Sequence, residues 1–151
     1  MQTGGRQSIK MKTAQAGIIN LIGRILLASV FLLTALVSKI PDFHHVTERM
    51  AHEGVPFPSV MLVGAIAFLL AGSLSLIVGF KARIGAMLLL IFTISGTYYF
   101  HHFWTFTEPE LIQDQLKSFM KNLSIIGGLM MIIANGPGAF SVDSKHSERK
   151  V

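Results

Sequence analysis

Residues 58–79 read PSVMLVGAIAFLLAGSLSLIVG, a run of 22 residues without a charged side chain. A helix needs roughly 20 mostly apolar residues to cross about 30 Å of hydrocarbon. This run is long enough, and Pro56 and Pro58 stand at its start, where a missing N–H costs nothing. Three further windows of the same kind lie outward from it. Residues 17–38 form one, closed by Lys39 and Pro41. Residues 82–101 form the next, and residues 118–135 the last, stopped by Gly136-Pro137-Gly138. The runs are too long for strands, and none alternates in the manner of a membrane barrel. The expected fold is all-α, an integral membrane four-helix bundle over residues 17–143. A basic N-terminal tail (1–16) and a short C-terminal tail (144–151) flank it.

Composition agrees with a bilayer protein. Hydrophobic residues make up 51% and charged residues 14%, against about 25% charged in a soluble domain. The net charge of +5 does not point to nucleic acid, because the basic residues sit in short runs beside apolar stretches, as they do at a membrane surface. Cysteine is absent, so the chain has neither a disulfide nor a thiol redox centre, and a redox role would need a borrowed cofactor or a partner subunit. The first apolar stretch is about twice a signal h-region in length and is not followed by a small-x-small cleavage site, so it is expected to be retained.

Lys and Arg set the orientation. Arg6, Lys10, Lys12, Lys81, Arg83, Lys145, Arg149 and Lys150 fall on one side, and Lys39, Arg49, Lys117 and Lys121 on the other. Both termini are therefore expected in the cytoplasm, with the connections 39–57 and 102–117 facing outward. Within the bilayer, helices associate through small residues. Gly64, Ala65, Ala67, Ala71, Gly72, Ser73 and Ser75 form such a stripe on the second helix, and Gly127 and Gly128 serve the fourth.

Chemistry-bearing residues gather on the outer side. His44, His45, His52, His101 and His102 come from both outer connections. Their spacing matches no metal motif, and adjacent histidines on a helix point about 100° apart, so no metal site is read from them. Tyr98-Tyr99-Phe100-His101-His102-Phe103-Trp104 reads as an aromatic belt at the membrane boundary. It also reads as a wall for a flat ligand such as a quinone. In that case Tyr99 or Trp104 forms the wall, His101 or His102 bonds a carbonyl, and His44, His45, Lys121 and Asn122 lie near. Arg24 lies about 10 Å along the first helix, where a charge must either snorkel to the interface or pair. Asp143, after the fourth helix on the same side, is the candidate partner. Arg24 and Arg83 each precede a histidine pair by a similar interval, a hint of a duplicated two-helix unit.

The stretch Gly136-Pro137-Gly138-Ala139-Phe140-Ser141-Val142-Asp143 resembles the Gly-Pro-Gly-x-x-Ser-x-Asp ending of the DoxX family of small membrane proteins. Gly23-Arg24 with Phe31 and Lys39, Gly72 through Gly79-Phe80-Lys81-Ala82-Arg83, and Lys121-Asn122-Leu123 agree in order, so the resemblance spans residues 17–143. It implies a subunit associated with a membrane oxidoreductase, quinone-linked, in the bacterial inner membrane; relatives include the small subunit of a thiosulfate:quinone oxidoreductase. One departure is that many members carry a glutamate shortly before the glycine matching Gly72, where this chain has Ala67-Phe68-Leu69-Leu70-Ala71. A non-catalytic membrane scaffold and a small transporter-like bundle are the alternatives.

Overall fold

The computed structural model describes the backbone of residues 3–101 and 103–144, with side chains from residue 14 onward. All regular structure among these residues is helical. Helix α1 runs Thr3–Leu33, α2 Phe43–His52, α3 Pro58–Val78, α4 Ala82–Phe100 and α5 Pro109–Asn135, with a 3-10 turn at Phe103–Thr105. Among the described residues, four stretches are long and apolar enough to cross a membrane, namely Ala14–Lys39, Pro58–Val78, Ala82–Thr105 and Pro109–Asn135.

The middle two spans follow their apolar windows closely, and the outer two extend past them. The segment expected as a basic tail continues α1 back to Thr3. Helix α5 starts at Pro109 rather than Ser118. Apolar length registers only the turns that lipid covers, whereas Pro109 in the first turn and Glu110 beside it favour a helix start in the polar region. Beyond Leu33, α1 widens to i→i+5 bonding over Thr34–Lys39, where the Ile40 N–H donates to the Ala35 carbonyl at 3.0 Å.

The connection after the first span contains α2, which the sequence reading leaves as a loop. Phe43, Val46 and Met50 recur at helical spacing. Met50 packs with Val55 and Leu62, and Phe43, Val46, Ile66, Tyr99 and Phe100 close around them. Helix α2 is thus an amphipathic cover over one end of α3 and α4.

Ala28, Phe31 and Ala35 from the first span meet Leu69 and Leu76 of α3, Ala86 and Leu89 of α4, and Leu129 and Ile132 of α5 in one core. Helices α3 and α4 form the closest pair; α1 packs on α3 and α5 on α4, which leaves a sparser seam between α1 and α5. Glycine decides the α3–α4 crossing. A Cβ on Gly72 would stand 2.6 Å from Leu89 Cγ and 3.0 Å from the Gly85 carbonyl oxygen, and one on Gly85 would stand 2.5 Å from Ser75 Cβ. Gly64 and Gly127, grouped with the small-residue stripes on sequence, have nothing within 4 Å where a Cβ would stand. Large apolar side chains such as Ile19, Val37, Val60 and Met131 are exposed, as a lipid-facing surface requires.

Candidate functional site

At one end, the α3–α4 turn, α1 and the segment after α5 are tied together. Gly136 and Gly138 both take φ of 78°, which glycine adopts without Cβ strain, and the chain doubles back toward α1. Phe140 then presents its carbonyl to Arg24, whose Nη2 donates to it at 2.7 Å. Ser141 Oγ donates to the Gly138 carbonyl at 2.7 Å and accepts from the Ser144 N–H at 3.2 Å. The Asp143 carboxylate accepts the N–H groups of Lys81 at 2.9 Å and Ala82 at 3.2 Å, while its own N–H donates to the Gly79 carbonyl at 3.0 Å. The first N–H groups of a helix have no partner within it, and an anion there is favoured by the helix dipole. Asp143 therefore caps α4 from a distant part of the chain.

Arg24 and Asp143 each bond backbone rather than the other charge. Both reach Gly79, against which Arg24 Nη1 packs so closely that a Cβ would stand 2.5 Å from it. Gly79 also takes φ of 71°, so space and backbone together demand glycine. Arg24 does not snorkel to the surface: it is 1% exposed, and its Nε and Nη1 have no partner. Two recesses open at this end. One, of about 580 Å³, is bordered by Lys81, Arg83, Asn135, Ser141 and Asp143. The other, of about 300 Å³, lies on the α1–α5 seam beside Gly23, Arg24, Leu27, Gly128 and Met131, and the two adjoin at Asn135 and Gly136. Among the residues that matter here, Gly79, Phe140, Ser141 and Arg83 carry no role in the sequence reading of the site. The parts of Gly79 and Phe140 rest on backbone atoms and close approach, which leave little trace in a sequence, and those of Ser141 and Arg83 on side chains whose partners only the fold brings near.

The opposite end holds the histidines and aromatics. His101 Nδ1 lies 2.9 Å from Gln115 Oε1. Asn122 Nδ2 donates to Thr97 Oγ1 at 2.9 Å, and that hydroxyl donates to the Thr93 carbonyl at 2.7 Å. These bonds join α4 to α5, the kind of polar glue that helices use inside a bilayer. Tyr99 packs beneath α2, while Trp104 is exposed with its ring edge-on to Phe103 at 5.3 Å. His44 and His45 sit on the exposed side of α2, with His44 Nε2 3.6 Å from Glu48. Lys121 is exposed, and His102 lies outside the described residues. Among the described residues, no group of three His, Asp or Glu side chains converges as a metal site would require. The structure thus brings His101 and Asn122 to the α4–α5 interface and sets His44 and His45 apart on α2; both recesses are at the other end.

A model of the SURF4 family matches residues 6–149. The inner membrane protein YqjF of Escherichia coli is 33% identical over 123 residues, 82% of this chain and 88% of that protein. The inner membrane protein YphA of the same organism is 27% identical over 128 residues, 85% of this chain and 90% of that protein. The Surfeit locus protein 4 homolog of Schizosaccharomyces pombe is 29% identical over 126 residues, covering 83% of this chain but 36% of that longer protein. No solved structure matches. These findings correct the DoxX resemblance, since the family that matches nearly the whole chain is SURF4. The oxidoreductase association came with that resemblance and loses its support with it, and the quinone reading is left with the aromatic residues around Tyr99 and Trp104 alone. The Gly-Pro-Gly-x-x-Ser-x-Asp stretch is a helix stop followed by a cap for α4. The chain is an integral membrane protein of the bacterial inner membrane, and it belongs to the SURF4 family.

Proposed function

We propose that the protein is a non-catalytic scaffold of the inner membrane, a four-helix bundle with both termini in the cytoplasm that holds a partner within the bilayer. The observation that supports this reading best is how the buried polar groups are used. Asp143 caps α4, Ser141 bridges Gly138 and Ser144, and Arg24 donates to Phe140, so the polar cluster closes the fold. General acid, base or nucleophilic chemistry needs such groups aimed at a reacting atom. The least covered span, α5, leaves an apolar face for lipid or another helix. The basic residues favour the stated orientation.

The test is purification from native membrane after in-cell cross-linking, with reporter fusions at Lys81 and Glu53 fixing the topology. A polypeptide partner that co-purifies, with the Lys81 fusion reporting cytoplasm and the Glu53 fusion the outside, is the expected result. Stoichiometric quinone, or turnover with a quinol by the purified protein, would overturn the reading. A transporter-like bundle is the second reading, supported by the i→i+5 turn at Thr34–Lys39 and by the buried Ser73 hydroxyl, which has no partner. Because the chain has no cysteine, Ser73→Cys gives a clean probe. Labelling of that position by a water-soluble thiol reagent favours transport, and protection favours the scaffold.

A further inference from the structure

The two recesses at the Gly-Pro-Gly end differ in character. The larger is bordered by the exposed side chains of Lys81 and Arg83, and Arg83 Nη2 donates to the Ala134 carbonyl at a long 3.4 Å. The smaller lies on the α1–α5 seam, with Leu27, Met131 and Ile132 beside the glycines Gly23 and Gly128, and with Asn20 and Asn135 also lining it. Arg24 borders this second recess, and two of its three guanidinium nitrogens are buried without a partner. Among the described residues, Asp143 is the one carboxylate lining either recess, and its two oxygens accept the N–H groups that begin α4. Among the described residues, three cations thus border the two recesses against one carboxylate, and that excess of positive charge favours an anion.

A free solute would meet only the charged recess. An anion carrying a hydrocarbon chain would fill both, because the recesses adjoin at Asn135 and Gly136 and the second opens along a lipid-facing seam. We propose that these adjoining recesses bind one anionic glycerophospholipid, its phosphate against Lys81 and Arg83 and an acyl chain along the α1–α5 seam. The unpaired charge of Arg24 adds to the field behind the headgroup. The site needs only that the chain spans a bilayer, and it stands whether or not the scaffold reading does. Each basic side chain near an anionic headgroup favours it by a factor of several, so a pair gives selectivity as well as attraction.

The experiment uses the full chain reconstituted with phosphatidylglycerol and phosphatidylethanolamine in equal amounts, extracted into mild detergent, with retained lipid counted by native mass spectrometry. The wild type is expected to retain phosphatidylglycerol selectively. Lys81→Asn with Arg83→Gln should lower that selectivity about tenfold; asparagine suits Lys81 because its φ is 48°, a left-handed conformation that asparagine tolerates. Lys117→Gln with Lys121→Gln, at the opposite end, should leave it unchanged. If the double variant does not fold, Arg83→Gln alone carries the test, with a loss of several-fold expected. Equal retention of the two lipids by the wild type, or undiminished selectivity in the Lys81 and Arg83 variants, would overturn the site. Displacement of the lipid by excess inorganic phosphate would overturn the lipid in favour of a free oxyanion.

Discussion

The two ends of the helices are held by different means. At the Gly-Pro-Gly end the ties run to backbone: Arg24 to the Phe140 carbonyl, Asp143 to the N–H groups of Lys81 and Ala82, Ser141 to the Gly138 carbonyl. At the aromatic end they run between side chains, His101 to Gln115 and Asn122 to Thr97, beneath an amphipathic helix seated on Met50, Val55 and Leu62. Backbone ties fix the path of the chain, so a change at one point moves every segment that converges there. Side-chain ties can be lost singly while the helices stay in place. Mutations at the first end should therefore be costly and coupled, and those at the second modest and independent.

The largest effect is expected at Gly79. A methyl group there needs a left-handed backbone at φ 71° and a Cβ placed 2.5 Å from both Arg24 Nη1 and Ser141 Cβ. Gly79→Ala should cost about 3 kcal/mol or more, read as a fall in unfolding temperature in detergent. Combining it with Arg24→Gln should cost less than the sum, because the same contact is lost twice; strict additivity would break the picture of a coupled knot. Asp143→Ala comes next, with an expected loss of about 2 kcal/mol as α4 loses a charged cap. Asp143→Asn keeps one acceptor and should recover part of it. An Asn variant no better than Ala would mean that the charge, rather than the hydrogen bonds, carries the effect.

How much of this was legible in the sequence follows the same division. The spans Pro58–Val78 and Ala82–Phe100 lie close to their apolar windows because a bilayer imposes length directly on sequence. Arg24 and Asp143 stood out because charge in or beside lipid is expensive, and both do reach the same turn. Their actual partners did not stand out, since a carbonyl 116 residues away looks like any other carbonyl until the chain is folded. Helix α2 is not legible in hydropathy, because its apolar positions occupy a ten-residue stretch rich in charge and histidine where only the spacing speaks. The family resemblance failed for a related reason, in that a short motif can record a way of ending a helix rather than a chemistry.

Asn122 tests the milder end. Its bond to Thr97 crosses α4 and α5, and interhelical hydrogen bonds of this kind average under 1 kcal/mol in membranes because the separated helices find other partners. Asn122→Leu should lower stability by about 1 kcal/mol and add to an Asp143→Ala loss without coupling. Coupling between the two would show that the ends communicate through α4 and are not held independently.

The smallest effect belongs to His44. Its ring lies 3.6 Å from Glu48, but the side chains are 93% and 64% exposed, and an ion pair that open to water contributes little. His44→Ala should leave the unfolding temperature unchanged at neutral pH. His45, also exposed on α2, should behave alike, and so should the double variant. The sharper form of the test adds zinc. A ligand that binds the folded state raises the unfolding temperature by mass action, so a metal held by these histidines would shift the wild type and not the double variant. Since no group of three His, Asp or Glu side chains converges among the described residues, the expected shift is none in either protein. A zinc-dependent rise abolished by His44→Ala would place a working site on α2 and make the aromatic end, rather than the Gly-Pro-Gly end, the place where this molecule meets its ligand.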